Sequence, residues 1–247
     1  MKRALWISLV AVLAFATIIL VRLPVQWVAG WLPPGIACQE LGGTVWNGRC
    51  NGLVAQGVQV GDIVWQLHAA ALLSRKVSAH VELTRGNHFA RGDVEAASGG
   101  RITARNLTAD LPLDRALMPQ LPANLTGSAT TNLALIQFEK GAITSVQGQL
   151  EAHNLEQGAG SRKVALGDYS LSFPAADPAI EPVGQLKSLS GPLDVQGTLK
   201  LTREPGFEME GLVAAGPTAS PELVKQLAYL GSPDAQGRRP FSLAATF

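Results

Sequence analysis

Four histidines (His68, His80, His88, His153) and two cysteines (Cys38, Cys50) are the side chains of this 247-residue chain best suited to metal binding or nucleophilic chemistry. A zinc hydrolase needs its histidines one helical turn apart, as in His-Glu-x-x-His, so that both point at one ion. The four histidines here have no such spacing, and His80 and His88 read as exposed strand positions, with contact to a partner as the rival reading. No Gly-x-Ser-x-Gly elbow presents a serine nucleophile. Gly158-Ala159-Gly160-Ser161-Arg162-Lys163 is glycine-rich and basic, but it lacks the Gly-x-x-x-x-Gly-Lys-Ser/Thr spacing of a phosphate loop and no helix pattern follows, so it reads as a polar hairpin turn. Asp93 with Glu95, and Glu208 with Glu210, alternate along strands, which puts each pair on one solvated face. The expectation is a protein with no catalytic site, no cofactor and no metal.

The elements that would position any site are organised around Gly43-Thr44-Val45-Trp46-Asn47-Gly48-Arg49-Cys50-Asn51-Gly52. A β-branched pair runs into a tryptophan and then into Asn-Gly, which takes the positive φ angles of a tight turn. The pattern predicts a strand ending in a turn at Asn47-Gly48, with a new strand from Leu53. Trp46 is expected to be a core aromatic beside that turn; a docking surface for a partner is the alternative.

Upstream, Ala4 to Val21 is an uncharged apolar run of 18, flanked by Lys2-Arg3 and Arg22. Such a run spans ~30 Å of hydrocarbon at 1.5 Å per residue. Ala14-Phe15-Ala16 resembles a signal-peptide cleavage site, but it lies mid-run, and cutting there would leave an apolar new terminus. An uncleaved anchor is therefore expected, with Lys2-Arg3 cytoplasmic and the body of the chain across the membrane. Trp6, Trp27 and Trp31 suit the two interfacial belts, and Pro24 opens a short helix that Pro33-Pro34 stops. The expected organisation is 1–22 as cytoplasmic end and transmembrane anchor, 23–37 as membrane-proximal linker, and 38–247 as a periplasmic β-rich domain. In that oxidising compartment the only two cysteines, Cys38 and Cys50, are expected to form a disulfide; two free thiols or a metal pair are the alternatives.

From Leu53 onward the pattern is that of strands. Gly (26) and Pro (15) are frequent and aromatics are only 6%, a mix that fits short strands joined by turns better than packed helices. Apolar residues alternate at Val58–Leu67, Val77–Leu83, Leu107–Leu113, Leu125–Leu135, Ile143–Leu150, Val164–Phe173, Leu193–Leu201, Phe207–Met209 and Phe241–Phe247. Ala69 to Arg75 reads as a small helical turn, and Pro174 to Pro182 as a surface loop. One helix is expected after Ser220, with Pro221 at its first position, Leu223, Leu227 and Leu230 on one face, and Gly231 as stop. Lys and Arg (20) barely outnumber Asp and Glu (19), so there is no large field to attract nucleic acid.

The Gly43-Thr44-Val45-Trp46-Asn47-Gly48 element, placed shortly after a single apolar N-terminal segment, resembles the type II secretion system protein N family. Ile63-Val64-Trp65-Gln66-Leu67, Ala71-Leu72-Leu73 and Leu230-Gly231-Ser232-Pro233-Asp234-Ala235-Gln236-Gly237-Arg238 fit the same family. The Gly-x-x-Trp-x-Gly element is also similar to AsmA-like envelope proteins. The resemblance implies a twisted, mostly antiparallel β-sheet domain behind one transmembrane helix. It implies an accessory, non-enzymatic inner-membrane subunit of the type II secretion system that supports export of folded proteins across the outer membrane. Its partners would be other inner-membrane subunits of that apparatus. The alternative is a periplasmic lipid-handling protein with an apolar β-groove.

Overall fold

The computed structural model describes residues 2–28, 30, 34–115, 121–122, 124–158, 163–177 and 180–246, and among these nothing is said of the side chains of 2–5, 7–9 and 16. Trp31 and Pro33, and the Ala159–Arg162 part of the glycine-rich turn, lie outside the described residues. The chain forms two compact units, Met1–Gly86 and Asn87–Phe247.

The first unit opens with helix α1, Lys2–Val21. Every described side chain of α1 is exposed, including Trp6, Val10, Val12, Leu13, Phe15, Ile18, Ile19, Leu20 and Val21. Over the described residues no helix is long and apolar enough to cross a membrane; five apolar side chains of the run, at 4, 5, 7, 9 and 16, and that of Ser8 are not part of that description. After Pro24 a single 3-10 turn covers Val25–Trp27, with Val25 buried. Four antiparallel strands follow in chain order: β1 (Ile36–Gly43), β2 (Asn47–Ala55), β3 (Val58–Leu67) and β4 (Lys76–Arg85). A 3-10 segment, Ala69–Ser74, joins β3 to β4, as the sequence suggests.

The second unit is a meander of nine strands. They are β5 (His88–Ala97), β6 (Arg101–Pro112), β7 (Leu125–Glu139), β8 (Ala142–Gln157), β9 (Val164–Phe173), β10 (Val183–Ser190), β11 (Leu193–Thr202), β12 (Gly206–Ala215) and β13 (Arg239–Thr246). Each pairs antiparallel with its neighbour in the chain. The sheet curls enough for β8 to meet β11, which is not its neighbour. Leu133, Val146, Phe173 and Leu201 close on one another inside that curl, with Leu107, Ile136, Ile143 and Phe207 around them. The fold class is thus mainly β and antiparallel, with one wet and one buried face as the alternation requires.

Helix α2 (Pro221–Leu227) begins as its cap residues dictate, with the Leu223 N–H donating to Ser220 Oγ at 3.2 Å. Leu223 and Leu227 are buried, and Leu227 packs with Val195 and Val213 against Phe241, covering the sheet there. Leu230 falls in a tighter 3-10 turn, Ala228–Leu230, so it rotates off the apolar face and is 40% exposed.

Candidate functional site

The motif hairpin closes on partners that are distant in sequence. The expected turn at Asn47-Gly48 is instead at Thr44-Val45-Trp46: β1 ends at Gly43, which pairs with Gly48, and Asn47-Gly48 already belongs to β2. The reason is local. Thr44 closes the loop itself, with its N–H donating to Asn47 O (2.9 Å) and its Oγ1 accepting from the Asn47 N–H (3.1 Å). Gly43 supplies the positive φ (+87°) that lets the chain enter so tight a loop. The true Gly-based turn comes later, at Gln56-Gly57 between β2 and β3.

This placement changes the role of Trp46. It stands in the turn, half-exposed, and not within a strand or in the core. Its indole N–H donates to Leu20 O at 2.8 Å, in the last turn of α1. Carbonyls there have no regular partner further along the helix, and Leu20 O otherwise has only a long 3.5 Å contact from the Leu23 N–H. Two backbone links complete the grip: the Val45 N–H donates to Leu23 O at 3.0 Å, and Pro24 bridges to Thr44. The hairpin tip is therefore a clasp on the end of the helix.

The clasp is braced from behind by a second tryptophan. Trp65, on β3, donates its indole N–H to Val45 O at 3.0 Å, and the Leu67 N–H donates to Trp46 O at 2.6 Å. The Trp65 ring lies across Gly48, and a Cβ at that position would overlap the ring. Glycine at 48 thus serves close approach of an aromatic face rather than a turn. Further along the same ribbon, Cys38 and Cys50 form a disulfide with Cα atoms 5.8 Å apart, tying β1 to β2. The sequence motif brings Gly43, Thr44, Val45, Trp46, Asn47 and Gly48 together; the partners Leu20, Leu23 and Trp65 lie too far off in sequence for local pattern to assign.

The histidines do not converge. His80 lies 3.4 Å from Glu82, His88 3.4 Å from Asp110 and His153 3.3 Å from Glu151. Among the described residues no three His, Cys, Asp or Glu side chains are grouped to hold a metal ion. The firmest electrostatic feature is a structural pin: the Ser190 hydroxyl (2.7 Å) and the Asn154 N–H (2.6 Å) hold the Asp168 carboxyl below its ordinary range, with His153 adding to the effect. It ties β9 to β8 and β10 where both change register. Beside it, burial and the Asp168 charge push the Tyr169 phenol up to about 12 while its O–H donates to Leu166 O at 2.7 Å. No arrangement of nucleophile, base and oxyanion donor accompanies any of these groups.

The family model for type II secretion system (T2SS), protein N, matches residues 34–242, which takes in the motif hairpin, the strands of the first unit and nearly all of the second. The chain belongs to this family. It is 28% identical to the type II secretion system protein N of Aeromonas hydrophila over 250 residues, covering 97% of each chain. It is 29% identical to the protein of the same name from Vibrio cholerae serotype O1 over 252 residues, covering 98% of each. Membership gives this chain a role in type II secretion. No solved structure matches it.

Proposed function

We propose that this chain is an accessory, non-enzymatic inner-membrane subunit of the type II secretion system, supporting export of folded proteins across the outer membrane. Residues 1–22 form its cytoplasmic end and anchor, 23–37 its membrane-proximal linker, and 38–247 its periplasmic part. The observation that carries this reading is the clasp. A 20-residue helix, uncharged from Ala4 to Val21 and with its described side chains exposed, is gripped at one end by the family's motif hairpin. An apolar helix that packs against no protein has lipid as its natural surroundings. The Cys38–Cys50 bond accords with an oxidising compartment. Its partners in this reading are other inner-membrane subunits of the apparatus.

The lipid-handling alternative finds less support. One open cleft of the second unit is lined by Gln185, Gln196, Thr198, Glu210 and Ser242 beside Leu212, Pro240 and Phe241, a mixed lining rather than the continuous apolar wall that would enclose acyl chains. Topology separates the readings from a soluble or reversed chain. A reporter fused after Phe247 should be active only in the format that works in the periplasm, and the chain should stay with membranes through alkaline carbonate. Cytoplasmic reporter activity, or a mature chain starting near Thr17, would overturn the anchor.

A further inference from the structure

The edge of the first unit that grips the helix also carries apolar side chains that no described residue covers. The 3-10 segment Ala69–Ser74 has no buried residue; Leu73 is 91% exposed and Leu72 48%. Register fixes its position. Asn47 pairs with Gln66 and Leu67 with Ala79, so the β3–β4 connection leaves the sheet at the same edge as the motif turn. Leu67 is bonded to Trp46, which is bonded to Leu20. Ala69 is two residues beyond Leu67 and so begins within about 7 Å of that contact. Trp46 carries the link on from that contact through its indole to Leu20 O, so the segment lies at the edge of the first unit that a spanning α1 brings to the headgroup layer. Trp27, 70% exposed on the 3-10 turn after Pro24, stands near the same edge.

Charge distinguishes the kind of partner. No acidic residue occurs before Glu40, and none between Asp62 and Glu82. Arg22 follows α1 directly, and Arg75 and Lys76 follow the leucines, both exposed. Exposed leucines and a tryptophan beside a basic pair match an anionic lipid surface, where the apolar tips enter the acyl boundary and the cations meet phosphates.

We propose that Leu72 and Leu73 insert into the leaflet from which α1 emerges, with Arg75 and Lys76 on anionic headgroups, so that the first unit is seated on the bilayer and not merely tethered to it. The proposal rests on reading α1 as a membrane anchor. The native cysteines are bonded to each other, so Leu73→Cys offers one free thiol for an environment-sensitive fluorophore; Gln59→Cys, exposed near the opposite turn of the sheet, is the control.

Full-length chain is reconstituted in vesicles of phosphatidylethanolamine with a minority of phosphatidylglycerol. The label at 73 should shift to the blue and be quenched by lipids carrying a shallow nitroxide, while the label at 59 is not. Arg75→Gln, or omission of phosphatidylglycerol, should lower the seated population, by about fivefold for each lost cation contact. Leu72→Asp should abolish the quenching. Carbonate extraction of the same samples reads the anchor separately. A carbonate-resistant chain whose label at 73 behaves like that at 59 overturns the seating and leaves the anchor. Shielding at 73 that arises only when another secretion subunit is added also overturns it, in favour of a protein partner. A chain extracted by carbonate overturns the anchor, and with it a seating defined by the leaflet from which α1 emerges, whatever the label at 73 reports.

Discussion

Gly48→Ala isolates the contact on which the motif hairpin closes. Gly48 is buried in β2 with an ordinary extended backbone, so alanine meets no conformational penalty there. On backbone grounds alone the substitution should stabilise by about 0.4–1 kcal/mol through the unfolded chain. The added methyl, however, overlaps the Trp65 ring, which must move and release its N–H from Val45 O. Overpacking costs about 1–3 kcal/mol and the lost hydrogen bond about 1, so after the backbone gain a net loss of about 1–3.5 kcal/mol is expected. Trp65→Leu removes the ring, and in that background Gly48→Ala should be neutral or slightly stabilising. The assay is urea unfolding of the detergent-solubilised chain followed by circular dichroism in the β band, as a double-mutant cycle. An equal cost in both backgrounds, or none in either, would refute the assignment of Gly48 as the seat for Trp65.

Thiol labelling of the unreduced, denatured protein should be near zero, and Cys38→Ala with Cys50→Ala should cost ~2–5 kcal/mol; full labelling of both would mean packing alone holds the ribbon. Asp168, held below its ordinary pKa, contributes stability above the unfolded-state pKa that is lost as pH falls through the lower folded one. Asp168→Asn should therefore destabilise at neutral pH by about 1 kcal/mol, a figure kept low by solvent screening, and the gap to the native protein should shrink below about pH 4. A pH-independent gap would mean the carboxylate charge is not what ties β8, β9 and β10. Trp46→Phe removes the indole donor to Leu20 O and trims one ring from a half-exposed side chain, so it should cost about 1 kcal/mol, whereas in a buried core the lost ring volume would cost several times that.

Where the sequence was readable, a single local cause decided the structure. Ser220 and Pro221 start α2 because cap and first-turn chemistry are local. The alternation at Val77–Leu83 lies within β4, and that at Val164–Phe173 is β9. The reading failed where a residue serves a distant one. Asn47-Gly48 looks like a turn, yet its glycine is reserved for a ring 17 residues away on β3. β10 shows no apolar alternation because one of its inward positions is Gly184, left empty of side chain so that the Phe173 ring of β9 can fill the space. A register shift between Ser188 and Ser190 then turns Leu189 outward. Trp46 reads as core from composition, but its donor is spent on a helix carbonyl 26 residues upstream, a pairing that no periodicity encodes.

The central claim, a membrane-anchored accessory subunit of type II secretion, is tested most directly in the source bacterium. The chromosomal copy is deleted, and a natively exported protein is quantified in the medium and in the periplasm, with complementation by the full-length chain. The account predicts less exported protein in the medium, a matching folded pool in the periplasm, and recovery on complementation. Unchanged secretion in the deletion strain, with no cross-link from the intact chain to any inner-membrane secretion subunit, would contradict it.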